Sequence, residues 1–115
     1  MIEMKVINLT QHDVNVINED NETTTFKPSG KVARVPMNQE VHGKIGPFKV
    51  YKKVYGEINF GIDIEPYNVY IVSNEVIRAL NEQNHPLAYQ FVAPNTIKSV
   101  RGTDGSIDKV YGFMI

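Results

Sequence analysis

Hydrophobic and polar positions alternate in short bursts along most of the chain, and only one stretch departs from that rhythm. From Val69 to Leu80 a β-branched and aromatic run, Tyr70-Ile71-Val72, leads straight into Val76, Ile77 and Leu80 at helical spacing. The pattern predicts a buried strand followed by one helix over about 74–83. Ser73 or Asn74 is placed to cap it, with a side-chain oxygen accepting a free backbone N–H. Glu75 suits the positive end of the helix dipole. Arg78 and Glu82 fall i,i+4 on the outer face. Asn84-His85-Pro86 stops the helix, since proline cannot continue it and disfavours helix in the residue before it. The backbone N–H groups after Val72 would suit an anion. No glycine-rich loop accompanies them, so ordinary capping explains the same residues.

The other elements are short strands punctuated by turns. Lys5–Thr10, Asp13–Ile17, Thr23–Lys27 and Lys31–Val35 read as successive strands of a β-meander, with Pro28-Ser29-Gly30 as a tight turn. Val41–Ile45 and Phe48–Val54 make a hairpin across Gly46-Pro47. Ile58, Phe60, Ile62 and Ile64 alternate through Gly56–Pro66, either as a strand kinked at Gly61 or as an irregular excursion. Tyr89–Val92, Ile97–Arg101 and Ser106–Phe113 are further strands, the last two joined through the Asp104-Gly105 hairpin signal. The class is β-rich α+β: a curled antiparallel sheet or open barrel with one main helix against one side. Such a sheet leaves edges, and edges are often paired across a homo-oligomer.

Composition narrows the classes. The chain has 115 residues, enough for one domain over 1–115 with a modest core. A formal net charge of −1 argues against both a non-specific nucleic-acid binder and an acidic mimic of DNA. There is no cysteine, which excludes disulfides, thiolate zinc sites and a cysteine nucleophile. Glu3, Lys5 and Asn8 interrupt any apolar leader, so no signal peptide is expected, and Met4 is an alternative start that would make the first residues a ragged end. No apolar run approaches bilayer length, so no membrane partner is expected.

No cluster spells out a reaction. His12, His42 and His85 show no metal-ligand spacing. Asp63 and Glu65 would share one strand face and could hold a metal or do acid/base work, though a solvated face explains them as simply. Ser29 and Ser73 lie outside any nucleophile-elbow motif. Lys44, Lys49, Lys52 and Lys53, with Tyr51 and Tyr55, form a basic aromatic hairpin. It could hold a phosphate and stack a base, or simply keep an edge soluble. Arg34 and Arg101 sit beside turns, where a guanidinium can grip phosphate or carboxylate with two hydrogen bonds or serve a structural ion pair.

Asn8-Leu9-Thr10-Gln11-His12-Asp13-Val14, Pro28-Ser29-Gly30-Lys31-Val32-Ala33-Arg34-Val35, Tyr70-Ile71-Val72-Ser73 and the Val100-Arg101 to Asp104-Gly105-Ser106-Ile107 segment occur in an order that resembles a group of small uncharacterised proteins of tailed phages and prophages. The likeness covers nearly the whole chain in short motifs. It departs at Asn84–Gln90, where the group tends to carry an Arg-x-Asp pair before a proline, so no binding role is carried to that loop. The resemblance implies a phage origin and action in the bacterial host cytoplasm. By analogy with other small phage proteins, the leading expectation is an oligomeric anti-defence binder that sequesters a nucleotide-derived immune signal without cleaving it. The ligand-binding residues would be Asn8, Thr10, His12, Ser29, Arg34, Ser73 and Arg101, with Tyr51 or Phe91 stacking on a base; no cofactor and no resident metal are expected. Two other classes compete. One is an inhibitor or accessory protein acting by protein–protein contact; the other is a metal-dependent hydrolase of a nucleotide signal using Asp63, Glu65 or His12.

Overall fold

A computed structural model describes residues 4–115; the ragged start expected at residues 1–3 lies outside the described residues. The strands are β1 (Val6–Asn8), β2 (Val14–Ile17), β3 (Thr23–Phe26), β4 (Met37–Ile45), β5 (Phe48–Tyr55), β6 (Val69–Ile71), β7 (Phe91–Pro94), β8 (Ser99–Arg101), β9 (Ile107–Tyr111) and β10 (Phe113–Met114). The helix α1 spans Asn74–Glu82, and a single 3-10 turn at Ala88–Gln90 follows it. The class is therefore β-rich α+β, but the strands form two mixed four-stranded sheets, neither closed into a barrel.

The first sheet has the order β1-β6-β7-β10, the second β3-β2-β9-β8, and among the described residues β4 and β5 pair only with each other. Three pairings are parallel: β1 with β6, β6 with β7, and β2 with β9. This corrects the expectation of an antiparallel curled sheet. The β6–α1–β7 segment is a strand–helix–strand crossover, and a helical connection returns the chain to the same end of the sheet, which makes its two strands parallel. The expected meander also fails beyond its β2–β3 hairpin. Lys31–Val35 is not a ladder strand; Arg34 makes one isolated bridge to Asn59, and the Ala33 N–H donates to Leu9 O at 3.0 Å. Gly56–Pro66 takes the irregular alternative, with Gly61 at φ 78° beside the Val32 carbonyl.

Period-two alternation in β6 and β7 builds three layers. Tyr70, Val72, Phe91 and Ala93 point to one side and pack with Val76, Ile77, Ala79 and Leu80 of α1. Ile71 and Val92 point to the other side and meet Val14, Val16 and Val110 of the second sheet. The first sheet is thus the middle layer. Ile58 completes the helix-side core, with Phe60, Ile62 and Ile64 packed around it. Those alternating isoleucines are a lid over apolar side chains, not a strand face.

The helix obeys its sequence signals. Ser73 is the N-cap, and its Oγ accepts from the Val76 N–H at 3.3 Å. At the other end Asn84 takes a left-handed φ of 49°, and the His85 N–H donates to Leu80 O at 2.9 Å. The His85 ring then accepts from the Leu87 N–H and meets Phe60 edge-on, a helix-end role.

Candidate functional site: a groove at the helix N-terminus

Three separate segments meet where β6 turns into α1. The 9–13 loop leaves the end of β1, the 32–35 segment is tied to its start by the Ala33 N–H donating to Leu9 O, and Ser73 caps the helix beside both. Between them lies an open cavity of about 380 Å³, with Leu9, Ala33 and Val76 among its apolar lining and Thr10, His12, Arg34, Ser73 and Glu75 as polar groups. A second cavity of about 300 Å³ adjoins it through the shared residues Thr10, His12 and Ser73 and ends at Asp108 and Lys109.

A buried asparagine shapes the loop wall. Asn8 donates from Nδ2 to the His12 and Phe26 carbonyls, both at 2.8 Å. Its Oδ1 accepts from the Thr10 N–H at 2.9 Å and from Thr10 Oγ1 at 2.6 Å. Burial without partners would be costly, and here both ends of the amide are engaged. Asn8 therefore sets the turn that presents Thr10 and His12; its own polar atoms are turned inward, away from a ligand.

Glu75 supplies the negative side of the groove. Its Oε2 accepts from the Tyr55 hydroxyl at 2.9 Å, and its Oε1 faces Lys53 Nζ at 3.3 Å and Arg78 Nη1 at 3.4 Å. The Tyr55 hydrogen bond above all, then Lys53 and Arg78, hold its carboxyl below the ordinary glutamate value. Tyr55 is pushed up in turn, first by burial and then by its hydrogen bond to Glu75. Arg34 is exposed at the groove and makes no ion pair among the described residues.

The structure gathers Thr10, His12, Arg34 and Ser73 of the expected ligand residues, and disperses the others. Phe91 is fully buried, stacked between Phe60 at 5.0 Å and Tyr70 at 5.4 Å between centroids, so the expected base-stacking role is corrected: both its faces are occupied by the core. Tyr51 stands exposed on β5, in the separate two-stranded sheet. Arg101 donates from Nη1 to Gly105 O at 2.8 Å, bracing the β8–β9 turn. Ser29 exchanges hydrogen bonds with its neighbour Lys31 and lies outside both cavities. Glu75 and Tyr55 were not foreseen as site residues, because their pairing joins residues 20 apart that no local pattern connects.

Asp63 and Glu65 are exposed on the 56–66 segment and line neither cavity. Among the described residues no group of three or more His, Asp or Glu side chains could hold a metal ion. No helix among them is long and apolar enough to cross a membrane. Comparison of the chain with protein-family models, with curated proteins and with solved structures gives no match.

Proposed function

We propose that the chain binds a small anionic, nucleotide-type ligand in the groove beside the helix N-terminus and releases it unchanged. The observation that carries this reading is the convergence of Thr10, His12, Arg34 and Ser73, from three distant segments, on one open cavity. Arg34 offers a forked donor set for a phosphate, and the N-terminal end of α1 favours negative charge nearby. The apolar lining offers surface for a base or sugar, and Glu75, kept ionised by its three partners, accepts from a ligand amino or hydroxyl group. A carboxylate so engaged is an anchor, not a free base, which favours holding over cleaving. With the phage resemblance, this becomes sequestration of a nucleotide immune signal in a bacterial host.

The test incubates the protein with cyclic dinucleotides, cyclic trinucleotides and cyclic ADP-ribose isomers, removes free ligand, and denatures the complex. Intact nucleotide should be recovered, and recovered product would point to a hydrolase instead. Arg34→Ala should weaken uptake about tenfold or more, the loss of one charged hydrogen-bonding group, with the melting temperature unchanged. If no nucleotide is retained and none raises the melting temperature, the reading fails.

A further inference from the structure

The β4–β5 hairpin is built unlike the rest of the chain. Its two strands pair with each other from Met37↔Tyr55 to Ile45↔Phe48 and with no other strand among the described residues. The molecule measures 56 × 37 × 23 Å with a radius of gyration of 16.5 Å, against about 13 Å for a compact chain of this length. The hairpin is therefore an arm, and its tip is apolar. Ile45 is 72% exposed and Phe48 71%, side by side across the Gly46-Pro47 turn. Just behind them Lys44 and Lys49 are direct cross-strand partners, a like-charge pair that destabilises an isolated hairpin.

The body carries a matching hollow. Met4, Pro66, Tyr67, Val69 and Tyr89 line a groove of about 470 Å³, and Tyr67 and Tyr89 are 64% and 80% exposed. It has room for a phenyl ring and an aliphatic side chain together. Asp63 and Glu65 stand exposed in the segment leading into it. Lys44, Lys49, Lys52 and Lys53 make the arm basic, whereas Asp63 and Glu65 are the charged side chains of the 58–66 segment.

We infer that the arm tip of one copy docks in the Met4–Tyr67–Tyr89 groove of a second copy, with Lys44 and Lys49 facing Asp63 and Glu65. Among the described residues one chain thus presents an exposed apolar tip flanked by lysines and an exposed aromatic groove whose approach segment carries two carboxylates. Knob and socket are different surfaces, so the contact is head-to-tail and propagates until a ring closes. Tyrosines such as Tyr67 and Tyr89, once covered, are a usual energetic centre of such a contact.

Light scattering on the purified chain at about 50 µM, a concentration that populates micromolar interfaces, tests this. The expected mass is a multiple of 13.0 kDa. Phe48→Glu should weaken association about thirtyfold or more, and so should Tyr67→Ala with Tyr89→Ala. Each variant keeps one intact half. Mixing the two should give a 1:1 dimer of twice 13.0 kDa through the one remaining knob and socket. Lys44→Glu with Lys49→Glu should dissociate the assembly, and adding Asp63→Lys and Glu65→Lys to the same chain should restore it. Circular dichroism melts confirm that each variant is folded. A monomeric wild type, an assembly indifferent to the groove substitutions, or a variant mixture that stays monomeric overturns the inference. The readout is mass without nucleotide, so its outcome stands apart from ligand uptake.

Discussion

The helix-side core and the β4–β5 arm divide the chain into two kinds of surface. In the core, Tyr70, Val72, Val76, Leu80 and Phe91 are almost wholly withdrawn from water, and the buried side-chain polar atoms among the described residues all have partners. In the arm, every residue of β4 is exposed, and the apolar side chains at its tip touch solvent. The contrast separates what folds the chain from what the chain presents. Burial of apolar area stabilises the body, whereas the arm is held by its own ladder and by Tyr55 and Lys53 reaching Glu75 at its base.

The sharpest way to break that comparison is a pair of truncations. Leu80→Ala should destabilise the fold by about 2–5 kcal/mol, because it opens a cavity where helix and sheet interlock. Val41→Ser, on the exposed arm, should cost about 0.5 kcal/mol or less. Urea unfolding followed by circular dichroism checks both. A cost above 2 kcal/mol for Val41→Ser would mean that the arm is covered in the isolated chain.

A smaller effect tests the link between core and groove. Asn8→Ala should cost about 1–3 kcal/mol, since it strands the His12 and Phe26 carbonyls and frees the Thr10 turn. It should also lower nucleotide uptake, because Thr10 and His12 lose their fixed presentation. Leu80→Ala, assayed below its melting temperature, should leave uptake intact. Equal uptake by Asn8→Ala and wild type would sever the loop from the site.

Local chemistry was legible in the sequence; long-range pairing was not. The helix was visible because its cap, its apolar stripe and its stop lie within a dozen residues, and Ser73 and Asn84 behave as those signals require. The β2–β3 and β4–β5 hairpins were visible for the same reason. Parallel pairing of Val6 with Val69 is set by contacts more than 60 residues apart, which no period-two pattern encodes. Phe91 shows the same limit within the site: an aromatic residue on a strand reads alike whether it faces a ligand or Phe60 and Tyr70. Arg34, Thr10, His12 and Ser73 were legible as polar groups beside turns, but their convergence on one cavity arises from the fold.

The smallest predicted effect lies where arm and body join. Glu75 has its folded pKa lowered, chiefly by the Tyr55 hydroxyl, so its contribution to stability is complete above the unfolded value of 4.5 and is lost as pH falls through the folded one. Tyr55 has its pKa raised, chiefly by burial, so its contribution is complete below 10 and is lost as pH rises beyond. The Glu75 side chain is 41% exposed, and solvent screening reduces such a network to a few tenths of a kcal/mol, or about 1 at most. Glu75→Gln should therefore cost that much at pH 7, and the gap to wild type should close as pH falls below 4.5, with no change in the arm's own ladder. Guanidinium-free urea melts at stepped pH, at low and high salt, measure it. A gap that stays constant through this window would show that ionisation of Glu75 contributes nothing to stability, and that the arm is positioned by hydrogen bonding from Tyr55 without the charges of Lys53 and Arg78.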